Sequence, residues 1–83
     1  MTIRNRRGLH ARASAKFVTL ATDFEADIIV DKDGTTAPGR SIMSLMMLAA
    51  GPGDTVIVRG HGSDAEAAVD ALVDLIEAKF GEE

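Results

Sequence analysis

The sequence predicts an α+β open-faced two-layer sandwich, in which a four-stranded, mainly antiparallel sheet carries three helices on one face. Three observations carry that prediction. Apolar residues recur at helical spacing in two long stretches, near residues 11–22 and 63–80. Short runs rich in β-branched residues lie between them. Glycine, proline and Asp-Gly signals punctuate the chain at each change of pattern. Read in order, the elements run β-α-β-β-α-β-α.

Residues 2–6 read as a short first strand, and Gly8 breaks the chain ahead of a helix from about Ala11 to Thr22. Phe17, Leu20, Ala21 and Phe24 fall at i, i+3, i+4 and i+7 and mark its buried stripe. Residues 26–31 form the second strand. Asp33-Gly34 is a tight-turn signal, and Thr35-Thr36-Ala37 is the returning strand. Pro38-Gly39 ends the hairpin, and Ser41 is placed as the N-cap of a short helix through about Ala49. Gly51-Pro52-Gly53 stops that helix, and residues 54–60 form the fourth strand. Ser63 and Glu66 have the spacing of a capping box for the last helix. Val69, Leu72, Val73, Ile76 and Phe80 line its buried face, and Gly81 is its C′ residue. A sheet covered on one side leaves the other polar, which Asp27, Asp31, Thr55 and Arg59 suit.

The 83 residues are 46% hydrophobic and 27% charged, as expected of one globular domain over 1–83 and not of a disordered segment. Cysteine is absent, which removes disulfides, thiolate nucleophiles and cysteine-based zinc sites. No apolar run approaches the roughly 20 residues of a membrane span, and the basic N-terminus lacks a signal peptide's apolar stretch. A cytoplasmic protein without membrane insertion is expected. The net charge of −4 argues against nucleic-acid binding. Its distribution says more. Residues 1–20 hold Arg4, Arg6, Arg7, Arg12 and Lys16 and no acid, for +5. Residues 61–83 hold seven acids against Lys79, for −6. The basic end surrounds His10, and such a field suits an anionic ligand or an acidic protein surface.

Gly8-Leu9-His10-Ala11-Arg12 joins the first strand to the first helix. A helix N-terminus presents unpaired amides and partial positive charge, and both favour a phosphate. A histidine placed there can hold a phosphoryl group where the amides of Ala11 and Arg12 meet its oxygens. The Arg12 guanidinium adds charge-assisted contacts. A neutral imidazole keeps a free lone pair and can act as nucleophile. On spacing alone, an exposed loop histidine beside a structural arginine fits as well.

The run Gly8-Leu9-His10-Ala11-Arg12-Ala13-Ser14-Ala15-Lys16-Phe17-Val18 resembles the active-site signature of the HPr family. These are the histidine-containing phosphocarriers of the bacterial phosphoenolpyruvate-dependent phosphotransferase system. Arg40-Ser41-Ile42-Met43-Ser44-Leu45-Met46-Met47 resembles the family's regulatory serine segment, at the expected separation. The element order matches over essentially the whole chain. The resemblance implies that enzyme I phosphorylates His10 at Nδ1 and that the group passes to an enzyme IIA domain. It gives Arg12 the role of stabilising the phosphoryl group, and it implies no cofactor and no independent turnover. Ala13 departs from the pattern, whose commonest form has proline there. Alanine preserves the helix but leaves its start less rigid.

The resemblance also makes Ser41 a regulatory site for HPr kinase/phosphorylase, although an N-cap serine needs no such role. A phosphate there would place roughly two negative charges on a docking surface. The following helix is apolar nearly all round. Leu45 and Leu48 are expected in the core, and Ile42, Met43 and Met46 are expected to bind partners beside Arg12. His61 reads as a turn residue, and two isolated histidines form no recognisable metal site. A docking module switched at Ser41 and a small-molecule-binding domain are the alternative functions. A monomer is the simplest state for a shuttle. The residues do not separate a sugar-transport branch from a purely regulatory one.

Overall fold

A computed structural model describes residues 1–82; Glu83, counted above among the C-terminal acids, lies outside them. The elements are α1 (Ala11–Ala21), β1 (Asp27–Lys32), β2 (Thr35–Pro38), α2 (Ile42–Met47), β3 (Ile57–His61) and α3 (Ala65–Glu77). A 3₁₀ turn over Lys79–Gly81 follows. β1 is central and antiparallel to both neighbours, in the order β2-β1-β3. Lys32 pairs with Thr35, so Asp33 and Gly34 alone make the turn, with φ of 54° and 87°. Two left-handed residues match the twist of a hairpin, which is why Asp-Gly serves here.

The described sheet has three strands where the sequence pattern predicts four. Residues 2–6 form no strand. The chain from Met1 to Ile3 lies antiparallel beside residues 53–56 through a single bridge, Thr2 to Thr55. Backbone bonds flank the bridge, from Ile3 N to Asp54 O (2.8 Å), Gly53 N to Ile3 O (2.8 Å) and Val56 N to Met1 O (2.7 Å). The pairing stops because the chain turns at once, the Gly8 amide donating to Asn5 O at 3.2 Å. The strand expected over 54–60 is therefore divided. Its first residues face the N-terminus, and Ile57–His61 pair with β1. His61 accordingly ends β3 instead of lying in a turn.

Alternation along β1 sends Ile28 and Val30 inward. They join Ile3, Phe17, Leu45, Val56, Leu72, Ile76 and Phe80 in one buried cluster. α3 packs on β1 and β3, α2 on β2, and α1 against α2 and α3. The uncovered face is less polar than expected. Ile29 and Ile57 are exposed there, near an ion pair of 3.6 Å between Arg59 and Asp31. On the α1 stripe, Phe17 and Ala21 are buried, whereas Leu20 and Phe24 are half-buried.

Both ends of α3 differ from expectation. Asp64 occupies the N-cap in place of Ser63, and its side chain makes no cap hydrogen bond. The Asp64 carboxylate accepts instead from the amides of Glu25 (2.9 Å) and Ala26 (2.8 Å), fastening the α1–β1 loop to the start of α3. Two unpaired loop amides outcompete the local box. At the far end, the helix stops at Glu77 and not near Phe80. Lys79 and Phe80 both adopt left-handed angles, φ 56° and 55°. Each such residue costs about 1–2 kcal/mol. Burying the Phe80 ring gains roughly 1.5–3 kcal/mol and offsets much of that. The reversal brings the tail back across the start of α1. α2 likewise ends at Met47, short of Ala49, which has a φ of 53°.

Candidate functional site

The loop before α1 is fastened on several sides. Gly8 has a φ of 60°, and a Cβ there would collide with the Ala50 carbonyl. Only glycine fits. The Leu9 amide donates to Ala50 O at 2.9 Å, and buried Ser14 returns its hydroxyl to Leu9 O at 3.1 Å. These bonds fix the residue that follows.

His10 is itself the N-cap of α1. Its carbonyl accepts from Ser14 N at 2.9 Å, the first bond of the helix. Its Nδ1 accepts from the Arg12 amide at 3.1 Å. A backbone amide can only donate, so Nδ1 is unprotonated in this arrangement and the ring proton lies on Nε2. Nε2 is 2.6 Å from Glu82 Oε2, a carboxylate oxygen that accepts that proton's hydrogen bond. The His10 side chain is 15% exposed. Its Nε2 edge is covered by the tail, while the bond at Nδ1 lies at the surface.

Glu82 is held in turn. Its Oε1 accepts from Asn5 Nδ2 at 2.9 Å, and the same Asn5 nitrogen donates to Gly8 O at 2.8 Å. Asn5 is fully buried, and among the described residues its Oδ1 has no hydrogen-bond partner. Lys16 Nζ donates to Phe80 O at 2.6 Å and fixes the reversed tail. The Asn5 hydrogen bond holds the Glu82 carboxyl below the usual glutamate range. The hydrogen bond and charge of His10 and the charge of Lys16 act in the same direction, against the opposing effect of desolvation.

Ala11 and Arg12 are exposed at the first turn, and among the described residues no ion pair engages the Arg12 guanidinium. Ala13 is buried one residue before the amide that begins the helix ladder, so a proline there would remove no ladder bond. Ser41 caps α2 as expected. Its Oγ accepts from Ser44 N at 3.1 Å and donates to Ser44 Oγ at 2.9 Å. Leu45 and Leu48 are buried, while Ile42, Met43 and Met46 are exposed. Among the described residues, no group of three His, Asp or Glu side chains could hold a metal ion. No helix among them is long and apolar enough to cross a membrane.

Sequence reasoning singled out none of Asn5, Glu82 or Met47. The signal for Met47, 79% exposed, lay in the all-round apolarity of a helix too short to bury every side. No local signal joins Glu82 to a ring 72 positions away.

The arrangement offers an imidazole lone pair at the positive end of a helix, with a main-chain donor aimed at the same nitrogen. Such a site suits a phosphoryl group. The family model described as "PTS HPr component phosphorylation site" matches residues 1–78. The chain belongs to the HPr family. It is 48% identical to the phosphocarrier protein HPr of Cupriavidus necator over 81 residues, 98% of this chain and 91% of that one. It is 44% identical to the phosphocarrier protein NPr of Shewanella violacea over 82 residues, 99% of this chain and 90% of that one. A crystal structure of HPr from Thermoanaerobacter tengcongensis superposes with a TM-score of 0.95 at 47% identity, covering all of this chain and 93% of that one. The three-helix sandwich is thus the HPr fold. The HPr relatives are phosphocarrier proteins of the phosphotransferase system, without catalytic turnover of their own.

Proposed function

We propose that this HPr-family chain accepts a phosphoryl group from phosphorylated enzyme I on His10 Nδ1 and passes it to an enzyme IIA domain. The observation that carries this reading is the Arg12 amide donating to His10 Nδ1 at the N-terminus of α1, which leaves that nitrogen as the acceptor. As the Nδ1–phosphorus bond forms, the bond from phosphorus to the donor's nitrogen breaks. The Arg12 amide then transfers its hydrogen bond from the ring to a phosphoryl oxygen. The Ala11 amide and the Arg12 guanidinium supply the remaining positive field, and positioning and charge stabilisation are most of what phosphoryl transfer requires.

Partners dock across Arg12, Ile42, Met43 and Met46, with Met47 extending the apolar part. Ser41, at the base of that patch, is the substrate of HPr kinase/phosphorylase. Its phosphorylation replaces the bond to Ser44 Oγ with a dianion beside the patch and repels an acidic partner. The carrier works as a monomer, presenting one surface to successive partners. Purified enzyme I and phosphoenolpyruvate test the reading. The wild-type chain is expected to gain an acid-labile phosphate and His10→Ala none. A wild-type chain left unmodified by an active enzyme I overturns it.

A further inference from the structure

We propose that Glu82 is a positioning residue for phosphoryl transfer: its carboxylate holds the proton on His10 Nε2, keeping Nδ1 free to be phosphorylated and balancing the charge that then appears on the ring. The proposal rests on His10 being the phosphoryl acceptor.

The contact is built by several independent features. Two consecutive left-handed residues, Lys79 and Phe80, turn the chain back. The buried Phe80 ring and the Lys16 bond to Phe80 O hold the reversal in place. Asn5 then joins Glu82 Oε1 to the carbonyl of Gly8, in the loop that carries His10. Both carboxylate oxygens therefore face donors, Asn5 Nδ2 on one side and His10 Nε2 on the other. A carboxylate can accept on both sides. A carboxamide of the same shape cannot.

The chemistry explains why the ring proton matters. The Nδ1 lone pair attacks phosphorus, and the donor's bond to phosphorus breaks with its electron pair. No proton leaves the ring, so the product is an N-phosphoimidazolium with its hydrogen still on Nε2. The Glu82 carboxylate at 2.6 Å compensates that positive charge. In the onward step the N–P bond breaks, its electron pair returns to Nδ1, and a neutral imidazole departs. Without the Nε2 proton the leaving group would be imidazolate, which is far poorer. One carboxylate thus serves both the loading and the unloading of the carrier.

Glu82→Gln separates the two roles of the contact, shape and charge. With Asn5 Nδ2 fixed by Gly8 O, the glutamine oxygen is drawn to Asn5 and its NH₂ faces Nε2, which favours the other ring tautomer. The ring nitrogens of ¹⁵N-histidine-labelled protein are to be read by NMR above pH 8. The wild type is expected to show one form, with Nε2 protonated and Nδ1 bare, and Glu82→Gln a mixture. Single-turnover transfer from phosphorylated enzyme I should slow on the order of tenfold in Glu82→Gln, in the range for loss of an orienting partner to a working histidine. Glu77→Gln removes the same charge from exposed α3 and should leave both readouts unmoved. Either readout unchanged in Glu82→Gln overturns the proposal, as does equal slowing in Glu77→Gln. A wild-type chain that is never phosphorylated overturns the function itself, and so is distinguishable from failure of the Glu82 role.

Discussion

At the scale of single residues, the site depends on geometry that few side chains could replace. Gly8 combines a left-handed backbone with a carbonyl in the space a Cβ would fill. Gly8→Ala is therefore expected to destabilise the fold by about 2–4 kcal/mol, measured as a lowered urea midpoint. A loss below about 0.5 kcal/mol would mean that the loop relaxes freely and does not fix His10. His10, Arg12 and Ser41 were legible in the sequence because their structural work is local. Each stands at a helix start, where His10 Nδ1 and Ser41 Oγ accept from amides two and three positions on. Asn5 and Glu82 were not. Their bond spans 77 positions and depends on a reversal at two non-glycine residues, a conformation that propensity argues against.

At the scale of elements, sequence signals succeeded where an element's own ends decided its extent. The Asp33-Gly34 hairpin and the Ser41 cap are of this kind. Ser41→Ala should cost about 1 kcal/mol, since the Ser44 amide loses its acceptor at the start of α2. Equilibrium unfolding measures the loss, and an unchanged midpoint would show that the cap is dispensable. Signals failed where another element made the stronger claim. Ser63 and Glu66 spell a capping box, yet Asp64 takes the cap position because its carboxylate serves two amides at the entrance to β1. The first strand failed for a related reason. Its alternation is real and buries Ile3, but the turn at Asn5–Gly8 cuts the pairing short.

At the scale of the whole molecule, one carboxylate ties the C-terminal tail to the body and another closes the turn beside which the N-terminus lies. Glu82 anchors the C-terminal tail to the His10 loop. Asp54 closes the turn that meets the N-terminus, accepting from Gly51 N at 2.9 Å with Lys32 Nζ at 3.4 Å. The Gly51 hydrogen bond and the Lys32 charge hold Asp54 below its ordinary 3.8, and Glu82 lies below its ordinary 4.5. Protons therefore bind the unfolded chain more readily than the folded one. The stabilisation is complete above those ordinary values and is lost as pH falls through the lowered ones. The urea midpoint is expected to drop as pH is taken from about 5 to about 3. A level midpoint over that interval would show that neither tie contributes.

α2 sinks a single side chain, Leu45, from within its six residues into the core. This segment is therefore expected to open more readily than α1 and α3, which are riveted by several buried positions each. On the proposed docking role, the methionine-bearing patch would ride on the least anchored helix and yield to differently shaped surfaces, while the loop bonds hold the imidazole in place.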